Sequence, residues 1–149
     1  MKRVLLAALA VALLPFFGAC PLGAAEAPLP PVGAISGHTL NAVAHVPRPP
    51  GTAGGGELSR IMLQAYLRPD GRALVRVWDT ARNRYTPAAE RRWSLSGRTL
   101  CLDLPGGSTP GSLCADVHVW GPRIAGIGTR PYAMIDGDLQ PGNAIGGPR

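Results

Sequence analysis

Lysine, aromatic residues and long apolar runs are all scarce in this chain. Of its 149 residues 5% are aromatic, and Phe16 and Phe17 both fall near the start. Tyr66, Trp78, Tyr85, Trp93, Trp120 and Tyr132 remain for a core. That supply is thin for a domain, so a covalent staple is expected. No apolar run after Phe17 approaches the roughly 20 residues a membrane helix needs. No window carries a 3.6-residue apolar period, which excludes a helical domain. G-x-S-x-G, HExxH and paired-carboxylate motifs are absent, so no familiar hydrolase or metalloprotease chemistry is signalled. The three cysteines include no CxxC pair, which leaves a zinc site without its usual ligand spacing. Neither a metal nor a cofactor is expected.

What is present begins with residues 1–20. Lys2 and Arg3 precede an apolar run of fourteen residues, Val4 to Phe17, closed by Gly18-Ala19-Cys20. A basic start, a short apolar stretch and a small-residue exit describe an export signal. The protein is therefore expected in the periplasm, or anchored to a membrane and facing it. Cys20 has two readings. In one it is the lipidated first residue of a mature lipoprotein: Ala19 fits that pattern, Gly18 is tolerated, and Phe17 departs from the usual Leu. In the other it belongs to a discarded signal cleaved after Ala25.

Beyond Arg3, thirteen arginines face nine acids, a balance of +4 with no lysine. Arg82-Asn83-Arg84 and Arg91-Arg92 are the closest groupings. Most such charge forms a solvated face. The sharper reading is attraction to anionic lipid head groups or an acidic partner. Nucleic acid is not an expected partner of an exported chain.

Residues 21–34 (PLGAAEAPLPPVGA) read as a proline-stiffened tether. Residues 35–139 form the folded domain, and 140–149 (QPGNAIGGPR) have the composition of a loose tail. Inside the domain the apolar period is two. Ile61, Leu63, Ala65 and Leu67 share one face. Arg68-Pro69-Asp70-Gly71 then suits a type I turn with a left-handed exit. Ala73, Val75 and Val77 lead the return strand. Arg92–Leu95, Ser96-Gly97-Arg98 and Thr99–Leu104 make a second hairpin, with Leu100, Leu102 and Leu104 in phase. Leu113, Ala115, Val117 and Val119 alternate after the Gly/Pro/Ser loop 105–112. His38–Val46, Arg123–Gly128 and Tyr132–Ile135 complete the set. Short strands joined by tight turns specify an all-β fold. An up-and-down antiparallel barrel of about seven or eight strands is expected, with a two-sheet sandwich as the alternative.

Cys101 and Cys114 lie on the two strands flanking the 105–112 loop, on the face opposite the leucine row. Antiparallel pairing brings their Cβ atoms within about 4.5–5.5 Å, so a disulfide is expected in an exported chain. Trp78, Trp93 and Trp120 recur on three strands. They either pack the barrel or line an aromatic cavity for an apolar ligand. His38, His45 and His118 carry no ligand spacing, and Asp136 and Asp138 around Gly137 read as turn formers. Gly54-Gly55-Gly56 lies in a Pro/Gly loop and not between a strand and a helix, so it signals no phosphate cradle.

Three segments carry a pattern: Ser36-Gly37-His38-Thr39; Tyr66-x-x-Pro69-Asp70-Gly71-Arg72; and Arg92-Trp93-Ser94-Leu95-Ser96-Gly97 leading to Leu100-Cys101, with Cys114 beyond. The pattern resembles a group of small proteobacterial envelope proteins of unassigned function. In that group a G-x-T start, a P-D-G turn and a G-x-W…L-C segment build a lipocalin-like sheet. The resemblance covers about residues 35–120. Arg91 and Arg92 stand where the group has a glycine before the tryptophan. The resemblance implies a fold and an envelope address, and no catalytic residues. The architecture is also similar to that of periplasmic inhibitors of bacterial metalloproteases.

The expectation is a non-catalytic envelope protein that binds another envelope protein or an apolar small molecule. A protease inhibitor whose segment from Glu26 to Val32 enters an active-site cleft is the first alternative. A small hydrolase using His118 and an Asp is the second.

Overall fold

Period-two alternation becomes strand throughout the domain. The computed structural model describes residues 35–48, 57–106, 111–130 and 132–146. The strands are β1 (His38–Pro47), β2 (Leu58–Leu67), β3 (Arg72–Asp79), β4 (Arg84–Tyr85), β5 (Ala89–Ser96), β6 (Thr99–Asp103), β7 (Ser112–Trp120), β8 (Arg123–Arg130) and β9 (Tyr132–Pro141). Successive strands pair antiparallel, save that β3 meets both β4 and β5. β9 returns to β1, with Ala42 opposite Gly137, and β2 pairs with β3. The result is a closed eight-strand antiparallel barrel plus one extra strand, β4. Closure, not a two-sheet sandwich, is how this chain hides its sheet edges.

The 68–71 turn forms as the sequence dictates. The Arg68 carbonyl accepts from the Gly71 N–H at 3.2 Å. Gly71 takes φ 77°, a region that side-chain-bearing residues enter at a cost. In a meander the turns alternate between the two ends of the barrel. Those after β2, β5 and β7 gather at one end with the chain's entry, where the Gly37 N–H donates to the Leu67 carbonyl at 2.7 Å. The β3–β4 hairpin lies at the other end, with the connections after β1, β6 and β8.

The shortage of aromatics is met by small side chains. Leu40, Leu63, Leu67, Val75, Leu100, Leu102, Leu113, Val117 and Ile124 are buried, together with Ala42, Ala44, Ala65, Ala73, Ala115 and Ala133. Trp93 is the aromatic member of this core among the described residues. Glycine takes the same role further. A Cβ at Gly126 would meet the Asp116 carbonyl oxygen at 2.6 Å, and one at Gly137 would meet the Ala42 Cα at 2.9 Å and collide with the Asn41 carbonyl oxygen. These neighbours are largely backbone and cannot swing aside. Gly137→Ala is therefore expected to lower stability by about 1–3 kcal/mol, as overpacking does. A urea midpoint unchanged from wild type would show that β1 and β9 do not approach so closely.

Two segments differ from the sequence reading. Asp136-Gly137-Asp138 is not a turn but the middle of β9. Gly137 is the residue that lets β1 close in, and both aspartates face outward toward Arg123, whose Nη2 lies 3.2 Å from Asp136 and whose Nε lies 3.3 Å from Asp138. The tail begins later than Gln140, because β9 runs to Pro141. Thr39, fully buried, then holds the chain: its hydroxyl donates to the Gly142 carbonyl at 2.7 Å and accepts from the Ala144 N–H at 2.9 Å.

Candidate functional site

Cys101 and Cys114 form a disulfide across β6 and β7, with Cα atoms 4.1 Å apart. They stand directly opposite each other in register, while Leu100 and Leu102 turn inward and are buried. Cys20 and the segment from Glu26 to Val32 lie outside the described residues, as do Gly54–Gly56.

The three tryptophans are not brought together. Trp93 is 7% exposed, and its indole N–H donates to the Arg68 carbonyl at 2.8 Å. Trp78 lies on the outer face of β3, where its ring meets that of Tyr85 edge-on at 5.1 Å. Trp120 is 54% exposed at the end of β7. A shared aromatic cavity is not what this geometry builds.

The histidines are equally scattered. His118 is exposed on β7 opposite Ala125. Asp116, on the same face, accepts from the Thr99 hydroxyl at 2.6 Å. Asp136, on β9, is engaged by Arg123. The His38 Nδ1 lies 3.1 Å from the Ser36 carbonyl oxygen, and His45 sits on β1 between Arg60 and Met134. Among the described residues, no group of three or more His, Cys, Asp or Glu side chains is placed to hold a metal ion.

The most developed polar constellation is one that sequence reading did not assemble. Asp79, Arg82, Arg84, Tyr85, Thr86 and Pro87 line a surface recess of about 250 Å³ at the β3–β4 hairpin. The local sequence explains the shape. The Asp79 Oδ1 accepts from the Ala81 and Arg82 N–H groups at 3.0 and 3.1 Å, the side-chain-to-backbone turn that aspartate favours. Its Oδ2 is 2.7 Å from the Arg82 Nη1. Asn83 takes φ 49°, a left-handed conformation that asparagine tolerates better than most residues. The Thr86 hydroxyl accepts from the Val77 N–H at 3.1 Å. Pro87, without an N–H, then interrupts the ladder before β5.

Charge within the recess is uneven. The side-chain hydrogen bond from Arg82, aided by its backbone N–H, holds the Asp79 carboxyl below the usual carboxylate range. Arg84 sits directly across from Asp79, yet its guanidinium has no hydrogen-bond or ion-pair partner among the described residues. Behind the recess, the Arg76 guanidinium lies 4.8 Å from the centre of the Tyr85 ring. It is held there by its Nε donating to the Gln64 Oε1 at 2.7 Å, while the Gln64 Nε2 donates to the Asn41 Oδ1 at 2.7 Å. Asp79-x-x-Arg82 and the Arg82-Asn83-Arg84 run were the available signals in the sequence.

A second recess, of about 10 Å³, lies at the entry end among Ile35, Leu95, Gly97, Arg98, Val117 and Val119. That is close to the room one water needs. No family model, no curated protein and no solved structure matches the chain.

Proposed function

We propose that this protein is a non-catalytic component of the cell envelope, a small barrel that binds a partner or ligand on its outer surface. The observation that carries the reading is the Cys101–Cys114 disulfide, taken with the export pattern of residues 1–20. Disulfides persist in oxidising compartments and are rare in the cytosol. The closed antiparallel barrel also agrees with the lipocalin-like sheet of the envelope proteins the sequence resembles, although a shared fold does not by itself carry a function.

Lipidation at Cys20 gives the architecture a direction. Residues 21–34 lie outside the described residues. They lead to Ile35, which is fully buried in the barrel end. A chain anchored at Cys20 therefore presents its entry end to the membrane and the β3–β4 hairpin away from it. Mass spectrometry of the native mature N-terminus tests this. The expected species begins at a lipidated Cys20 and fractionates with membranes. A chain beginning at Glu26 removes the anchor, and an unprocessed cytosolic chain with two free thiols at Cys101 and Cys114 overturns the whole reading.

The buried Ile35 also favours a second reading, protease inhibition. It fixes the root of the segment from Glu26 to Val32 to a rigid body, as an inhibitory arm requires. Removal of that segment would then abolish inhibition of an envelope protease while leaving the melting temperature unchanged.

A further inference from the structure

We propose that the recess at the β3–β4 hairpin binds the phosphate group of a small organic ester, with Arg84 as its principal donor. This rests on the reading of the chain as a binding module and gives that module a site.

The carboxylate that would ordinarily neutralise Arg84 is already engaged. Asp79 stands opposite it in register, but the Asp79 oxygens are taken up by two backbone N–H groups and by Arg82. Arg84 is left with five N–H donors and no acceptor among the described residues. A planar guanidinium fork of this kind matches a phosphate or carboxylate in bidentate fashion. Thr86 adds a second donor: its oxygen accepts from Val77, so its own proton remains to be given. Arg76 and Arg82 keep the local potential positive against the single Asp79 charge.

Size and placement narrow the ligand. A recess of about 250 Å³ exceeds a bare oxyanion and falls just short of the usual range for drug-sized ligands. The space left beside the phosphate is bordered by Tyr85 and Pro87, surfaces suited to a short carbon skeleton. The hairpin lies at the barrel end opposite Ile35. A barrel tethered through residues 21–34 turns it away from its own membrane, which favours a soluble ester over a lipid head group.

The test is an amide-resolved NMR titration of the purified, disulfide-intact protein with glycerol 3-phosphate and with inorganic phosphate. Sedimentation with phosphatidylglycerol and phosphatidylcholine vesicles runs alongside it. The expected result is a saturable shift confined to residues 79–87 with glycerol 3-phosphate, weaker with inorganic phosphate. Arg84→Gln should weaken binding about tenfold or more, the loss of a charge-assisted hydrogen bond. Arg92→Gln, exposed on β5 and paired across from Arg72 at the opposite end of the barrel, should leave it unchanged. Shifts spread over all exposed arginines, or equal losses in the two variants, would reduce the site to nonspecific charge and overturn the proposal. So would the absence of any saturable shift. Arg84-dependent sedimentation with phosphatidylglycerol vesicles alone would assign the recess to a lipid head group and overturn the soluble-ester claim. Each of these outcomes is independent of the N-terminal mass that tests export.

Discussion

Trp93→Ala is expected to destabilise the barrel by about 3–5 kcal/mol, the usual cost of truncating a buried tryptophan. Trp93 is the aromatic anchor of a core otherwise built of Leu, Val, Ile and Ala. Alanines cannot extend to fill the space its indole would leave. It also ties strands together: its indole N–H donates to the Arg68 carbonyl at 2.8 Å, and its backbone N–H to the Gly71 carbonyl at 2.9 Å. Both acceptors belong to the β2–β3 turn, so Trp93 fastens β5 to that hairpin, and alanine removes the indole half of the tie. A loss of this size is a large part of the roughly 5–15 kcal/mol that holds a domain together. Trp120→Ala, at a site already 54% exposed, should cost less than about 1 kcal/mol. Urea unfolding followed by far-ultraviolet circular dichroism separates the two. Equal midpoint shifts for Trp93→Ala and Trp120→Ala would contradict the placement of Trp93.

The second large effect is expected from the disulfide. It closes a loop across a sequence separation of 13, worth about 3 kcal/mol in the chain-entropy model. The segment between the two strands is rich in Gly, Pro and Ser, a composition that by itself specifies no register. A slip of one residue would turn Leu100 and Leu102 out of the core. The bridge holds Cys101 opposite Cys114 and so keeps both leucines inside. Replacing both cysteines by serine should lower the melting temperature by about 10 °C or more, at roughly 4–8 °C per kcal/mol for a domain of this size. Reductant should lower the wild-type melting temperature by a similar amount and leave the double variant unaffected. A wild-type melting curve indifferent to reductant would show that the bridge contributes nothing.

Much of the fold was legible because strands announce themselves by alternation. β2, β3, β6 and β7 each carry an unbroken inward row, and Pro69-Asp70-Gly71 marks a turn whose geometry the residue types dictate. Cys101 and Cys114 were legible for the same reason, since register follows from the leucines. β9 reads short in sequence because Asp136-Gly137-Asp138 has turn composition. What keeps it extended is tertiary: Gly137 is needed for close approach to Ala42, and Arg123 on the neighbouring β8 pairs with the two aspartates. The tail reads loose in sequence because the partner of residues 142–144 is Thr39, more than a hundred positions away. β4 is two residues long and offers no periodicity at all. The recess depends on which of several arginines finds an acid, and composition cannot tell Arg82, paired with Asp79, from Arg84, left open. The tryptophans show the opposite limit. Their recurrence on three strands leaves barrel packing and a shared aromatic cavity both open in sequence, and strand parity decides: Trp93 turns inward and the other two outward.

Closure of the ring decides whether function must lie on the outer surface, and the β1–β9 ladder is where closure happens. Cross-strand nuclear Overhauser contacts between these strands test it most directly. The pairing of Ala42 with Gly137 and of Val43 with Asp136 predicts backbone proton contacts between each pair, with slow amide exchange along both strands. Absence of those contacts, with β1 and β9 amides exchanging like free edges, would contradict the closed barrel.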